Sequence, residues 1–320
     1  MKIAVVGPGA VGSYYGAILC RDGQDVHFLL RSDYDVVRSN GVFIRSPAGD
    51  FKAHPHCARK PEEIGLCDLV LIALKTTAND QFPNLLPPLV GPGTSVLTLQ
   101  NGLGNEELLA RLVRIEQIIA GLCFVCLNRV EPGVIEHLAH GLVVLGEFRR
   151  PPEARTHDLA AMFRHAGVPC RVADNLERAH WEKLVWNIPF NGLGVAGVAG
   201  FETLLNPEVP VVRRQAVLPT SKLLNDPRWE NLVRELMIEV IAIGRVMGFD
   251  IPDSLAEKQI ERTRTMGAYR ASTLIDFERG QPLELDSLFV EPLRQAQRAG
   301  VATPRLARLC AVLRQLQETH

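Results

Sequence analysis

Lys2-Ile3-Ala4-Val5-Val6-Gly7-Pro8-Gly9-Ala10-Val11-Gly12 is the stretch from which the rest of the chain is read. Ile3–Val6 is apolar without alternation, as in a strand covered on both faces. Gly7-Pro8-Gly9-Ala10-Val11-Gly12 follows at once and spells G-x-G-x-x-G. Val11–Arg21 then reads as a helix, stopped by Gly23. Strand, glycine loop and helix in that order are the context in which this motif cradles a dinucleotide. Gly7 makes the tight turn, Gly9 lets the backbone approach a pyrophosphate, and Gly12 lets helix and strand pack closely. The helix N-terminus adds free N–H groups and positive potential for the phosphates.

Outward from this unit the pattern repeats. Val26–Leu30, Leu69–Leu74, Thr94–Leu99 and Ile118–Val125 read as strands, and Asn105–Val113 as a helix. Val42–Arg45 and Phe51–His54 flank a turn-rich stretch and predict a hairpin; Val134–Leu145 alternates like a second one. The expectation is an α/β, doubly wound Rossmann-type sheet followed by an all-α C-terminal domain. From Glu177 the spacing is helical. Leu232, Val233, Leu236, Met237, Val240, Ile241 and Met247 mark one apolar helix face, with further helices at Ser254–Met266, Asp286–Ala299 and Leu306–Leu316. The proposed division is 1–174, nucleotide-binding, and 175–320, helical and catalytic. Asn206–Asp226, with Pro207, Pro210 and Pro219, reads as a loop excursion.

The end of the second strand selects the cofactor. An NAD site places Asp or Glu there, about twenty residues beyond the loop, for the ribose 2′-hydroxyl. This chain has Arg31 followed by Ser32. A guanidinium fork suits a 2′-phosphate, so NADP(H) is expected. Lys75 and Asn101 also end strands at the edge where ligands bind. A solvated lysine and ordinary Asn-Gly turn chemistry explain them equally well on pattern alone.

In the second half, Lys183, Asn187 and Asn191 stand at i, i+4 and i+8, one stripe of a helix otherwise carrying Leu184, Val185, Trp186, Ile188 and Phe190. A helix apolar on its other faces is buried, and buried polar groups need partners that a polar substrate can supply. Pro189 removes one helical N–H. Near the C-terminus, Asp286 reads as an N-cap, whereas Glu284, between Leu283 and Leu285, reads as a carboxylate aimed at a site. Arg270 is a candidate for a substrate carboxylate.

These residues together resemble the ketopantoate reductase (2-dehydropantoate 2-reductase) family over essentially the whole chain. The resemblance rests on the glycine loop, Arg31, Leu74-Lys75, Asn101-Gly102, Trp181–Leu184, the two spaced asparagines, Ser272–Asp276 and Glu284. It implies NADPH-dependent reduction of 2-dehydropantoate to pantoate, in pantothenate and coenzyme A synthesis. By the same resemblance Lys183 is the proton donor, and Asn187, Asn191 and Ser272 bind substrate. Gly7–Gly12, Arg31, Lys75 and Glu284 contact the cofactor, and Asn101 touches both ligands. The sequence departs from the family where Asn191 precedes Gly192 instead of proline and where Phe201 replaces a further asparagine. Another branched 2-oxo acid, or a non-catalytic NADP-binding sensor on the same fold, are the alternatives.

Composition narrows the class. The chain has 320 residues, 47% hydrophobic and 22% charged, and 35 basic against 36 acidic side chains leave a net charge of −1. That balance does not suit binding dominated by nucleic-acid phosphates. No apolar run is long enough to span a bilayer. The start of the chain has no secretory pattern, so the cytoplasm is expected. The partner is a small molecule, and a homodimer is compatible with the sequence. Seven scattered cysteines do not make a disulfide framework. Cys123-x-x-Cys126 lies on a strand, where residues three apart face opposite ways. The close histidine pairs, His54 with His56 and His137 with His140, read as solvated rather than ligating, and no metal is expected.

Overall fold

A computed structural model describes residues 1–319. Two compact units divide it: residues 1–101 with 105–177, and residues 102–104 with the chain from Arg178 onward.

The first unit contains β1 (Lys2–Val6), α1 (Ala10–Arg21), β2 (Asp25–Leu29), α2 (Tyr34–Asn40), β3 (Val42–Arg45), β4 (Phe51–Ala53), β5 (His56–Ala58), β6 (Leu69–Ile72), α3 (Phe82–Leu85), β7 (Ser95–Thr98), α4 (Asn105–Leu109), β8 (Ile118–Glu131), β9 (Val134–Glu147), α5 (Ala154–His165) and β10 (Cys170–Val172). Ten strands form one sheet in the order β4-β3-β9-β8-β7-β6-β1-β2-β5, with β10 beside β9. From β5 to β8 all neighbours are parallel. The chain progresses from β1 toward β2 on one side and from β6 toward β7 on the other, so the loop after β1 lies at the point where strand order reverses. Ligands of open α/β sheets bind there. Apolar clusters cover both faces: Ile3, Val5 and Phe28 belong to one, Ala4, Val6 and Val70 to the other. That two-sided burial is why β1 is apolar without alternation.

The first expected hairpin forms, β3 pairing antiparallel with β4, whereas Val134–Leu145, read as a second one, lies within the single strand β9, which makes an antiparallel pair with β8. β8 runs to Glu131 rather than stopping at Val125, because its outer half pairs with β9 through irregular register near Phe124 and Cys126. The helix expected over Asn105–Val113 ends at Leu109. None of the seven cysteines is in a disulfide.

The second unit is helical. It holds most of α6 (Leu176–Ala196), then α7 (Phe201–Leu205), α8 (Thr220–Asn225), α9 (Pro227–Val246), α10 (Ser254–Arg264), α11 (Ser272–Glu278), α12 (Glu291–Arg298) and α13 (Pro304–Glu318). α6 is buried throughout from Asn187 to Ala196, and a Cβ on Gly192 would stand 2.5 Å from the Leu309 side chain of α13. Residues 206–219 are irregular, and Leu218 seats its N–H on the Gly194 carbonyl at 2.8 Å, so this excursion straps the end of α6.

Two local readings are corrected. Leu232 to Ile241 do bury one face of α9, but the helix ends at Val246 and Met247 is exposed beyond it. Asp286 is not an N-cap: it begins a π-helical turn, Asp286–Val290, that leads into α12. No helix is long and apolar enough to cross a membrane among the described residues.

Candidate active site

In the first unit the glycine loop is built for close approach. Gly7 has φ +85°, a region costly for any residue with a side chain, and its Cβ would stand 2.6 Å from the Leu74 backbone. A Cβ on Gly12 would lie 2.6 Å from the Gly7 carbonyl oxygen. At Gly9, by contrast, nothing lies within 4 Å of that position, so the loop presents open backbone. Ser13 Oγ donates to the Pro8 carbonyl at 2.8 Å and pins the turn. No side chain caps the α1 N-terminus, which leaves the first-turn N–H groups of Ala10, Val11 and Gly12 to a ligand.

Arg31 stands two residues beyond the end of β2. It is exposed, and its guanidinium has no hydrogen-bond or ion-pair partner among the described residues. Two residues on, Asp33 could have served as the carboxylate of an NAD site. The fold removes it: Asp33 is buried and accepts two hydrogen bonds from Arg129, one from Gly133 N–H at 3.3 Å and one from Ser32 Oγ at 3.0 Å. The nearest acid is therefore engaged by β8 and the hairpin turn, while the arginine is open. These features fit a dinucleotide carrying a 2′-phosphate.

Lys75 and Asn101 emerge after β6 and β7, and each has an interaction partner. Their loops are joined by a chain of side-chain amides that sequence inspection does not single out. Thr98 Oγ1 donates to Gln100 Oε1 at 3.1 Å. Gln100 Nε2 donates to the Leu74 carbonyl at 3.0 Å and to Asn79 Oδ1 at 2.7 Å. Asn79 Nδ2 donates to Asn105 Oδ1 at 2.9 Å, and Asn105 Nδ2 to the Asn101 carbonyl at 3.2 Å. Each amide accepts at one end and donates at the other, so the chain has a single direction. It fixes the backbone on which Lys75 and Asn101 stand.

In the second unit the helical stripe is present on α6. Lys183 is half-buried and partnered, and Asn187 and Asn191 are buried one and two turns on. Pro189 lies between the asparagines without ending the helix. Asn191 Nδ2 donates to the Asn187 carbonyl at 3.0 Å, and its Oδ1 accepts from Thr273 N–H at 3.2 Å. It therefore anchors the first turn of α11, whose opening residue is the exposed Ser272. Trp186 Nε1 donates to Thr263 Oγ1 at 2.9 Å and fixes the rotation of α6 against α10.

Glu284 is buried and partnered, as its apolar flanks suggest. Leu283 N–H donates to Gln317 Oε1 at 3.1 Å and holds the segment. Arg270 is not an open carboxylate receptor, because it forms an ion pair with Glu278. Phe201 packs edge-on against Trp229 with ring centroids 5.0 Å apart, an apolar contact where the family pattern has an amide.

The family profile described as ketopantoate reductase PanE/ApbA matches residues 3–150, and its C-terminal companion matches residues 215–317. A 2-dehydropantoate 2-reductase from Nostoc sp. is 40% identical over 315 residues, covering 95% of this chain and 92% of the relative. The chain belongs to the ketopantoate reductase family. Solved structures agree with that membership. A 2-dehydropantoate 2-reductase from Geobacter metallireducens has a TM-score of 0.90 at 47% identity, covering 98% of this chain and 99% of that one. Another, from Methylococcus capsulatus, has a TM-score of 0.86 at 32% identity, covering 100% and 97%. The ketopantoate reductase fold thus extends over both units.

Proposed function

We propose that the chain reduces 2-dehydropantoate to pantoate with NADPH, a step that feeds pantothenate synthesis. The observation that carries this reading is α6: a half-buried lysine aligned with two buried asparagines on an apolar helix, in a chain of this family. NADPH, when bound, supplies the hydride. The glycine loop and the α1 N-terminus hold its pyrophosphate, Arg31 its 2′-phosphate, and Lys75, Asn101 and Glu284 its remaining polar groups.

Lys183 hydrogen-bonds the ketone oxygen, stabilises the negative charge that grows there, and donates the proton that completes the alcohol. A primary ammonium has three donors on one compact charge, so it can keep a structural partner while serving the substrate. Asn187 and Ser272 orient the substrate's polar groups. Asn191 positions Ser272 through α11 and has one amide hydrogen left for substrate. The reaction is placed in the cytoplasm, and a homodimer is part of this reading, to be measured by light scattering.

Loss of NADPH absorbance with a panel of 2-oxo acids tests the assignment. 2-Dehydropantoate should give the highest kcat/KM. A different branched 2-oxo acid in first place would favour the second reading, for which Phe201 against Trp229 is the specific observation. No turnover with any of them would leave only a dinucleotide-binding sensor.

A further inference from the structure

Three side chains with ligand chemistry meet at the start of β2, the end of that strand remote from Arg31. Asp25 and His27 are two residues apart on β2, so the pleat sets both on one face. β5 pairs in parallel with β2 and places His56 directly opposite His27. The two imidazoles stack with centroids 4.7 Å apart and planes 24° apart. Asp25 Oδ1 lies 2.9 Å from His27 Nε2 and 3.6 Å from His56 Nε2. All three donor atoms fall within 4.8 Å of one another.

A simple ion pair does not account for this arrangement. His27 Nε2 is shut off from water yet has no hydrogen-bond partner, despite its proximity to the carboxylate. Lys2, the register neighbour of Asp25 on β1, turns its ammonium to the Ile64 carbonyl at 2.5 Å. The carboxylate is left facing the histidines.

Ligands about 2.0–2.1 Å from a tetrahedral cation stand roughly 3.3 Å from one another. The two distances to Asp25 Oδ1 fall on either side of that value. We propose that Asp25, His27 and His56 form a binding site for a divalent transition cation of the zinc class, with the fourth position open to water. Two imidazoles and one carboxylate suit zinc, cobalt or nickel better than calcium or magnesium, which take oxygen sets. The His56 side chain is 71% exposed and Asp25 50%, so the site is reachable and His56 is free to turn onto the ion. β5 is a three-residue strand at the sheet edge. A bound cation staples it to β2, independently of the reductase chemistry.

The test uses the full-length protein stripped by chelation and dialysis. Zinc chloride is titrated by calorimetry, and cobalt chloride by visible absorption, in wild type, His56→Ala and His27→Gln. One zinc per chain, the intense visible bands of four-coordinate cobalt, and a zinc-dependent rise in Tm are expected in wild type. Loss of an outer-shell partner typically costs about 10–100-fold in metal affinity, so deleting a ligand should cost ~100-fold or more. His56→Ala touches no core and keeps the comparison valid should His27→Gln fail to fold. No stoichiometric zinc in wild type, or equal affinity and cobalt spectra in wild type and His56→Ala, overturns the site.

Discussion

Gln100 Nε2 donates to Asn79 Oδ1 at 2.7 Å, and this bond ties the loop after β6 to the end of β7. Because the same Nε2 also donates to the Leu74 carbonyl, one side chain bears on the backbone of both proposed cofactor residues, Lys75 and Asn101.

Asn79→Asp is expected to disturb this chain more than its size suggests. It replaces the donor facing Asn105 Oδ1 with an acceptor, and Asn105 cannot turn over without losing the Asn101 carbonyl. An unsatisfied buried group costs about 1–3 kcal/mol. NADPH Kd should rise about tenfold or more, with kcat at saturating NADPH changing less. Fluorescence titration beside steady-state kinetics measures the split; an unchanged Kd would show that the chain does not position the cofactor residues.

Cofactor choice should reside in Arg31. Losing a hydrogen bond to a charged phosphate typically costs about 1.5–3 kcal/mol, or roughly 10–100-fold in affinity. Arg31→Ala should lose most of the preference for NADPH over NADH. Both cofactors titrated into both proteins decide it, and equal wild-type affinities would remove the basis of the assignment.

Lys183→Met keeps much of the side-chain stem and deletes the charge. Proton donation and charge stabilisation are each typically worth about a hundredfold or more, so kcat should fall at least that far. NADPH affinity should persist, since the glycine loop belongs to the first unit. Near-wild-type kcat in a folded variant would exclude the lysine as the acid. An early-melting variant would instead assign Lys183 to the packing of α6.

Two thiols should resist alkylation. Burial pushes Cys170 up to about 11 and Cys310 up to about 12. Native protein at pH 8 should therefore leave both unlabelled by iodoacetamide, while denaturant exposes them; mass spectrometry of peptides reads this directly. The sign for stability follows. Above the ordinary value of 9.0 the unfolded chain releases these protons and the folded chain keeps them, so stability falls as pH rises from there toward 11. Cys170→Ala should flatten that part of the pH profile.

Much of the architecture was legible locally. Lys2–Val6 with its glycine loop, and Arg31 after β2, needed only strand periodicity and short-range turn chemistry to be recognised. Lys183, Asn187 and Asn191 share a face because helical spacing alone puts them there. The bounds that failed are those set by partners: β8 outruns Val125 because β9 pairs with it, and α9 stops before Met247 although the apolar spacing continues.

Readable from local spacing were the Rossmann-type and helical halves, the glycine cradle, the arginine in place of an acid, and the lysine stripe, all features written within a few turns or one strand. The withdrawal of Asp33 by Arg129, 96 residues away, belongs to the folded chain. The same fold directed the amides of Gln100, Asn79 and Asn105 toward the Asn101 carbonyl, turned Asn191 to the N–H of Thr273, and set His56 opposite His27. The physical reason is common to all four. Strand register and hydrogen-bond direction are properties of pairs distant in the chain, which the spacing of residues within one element does not encode.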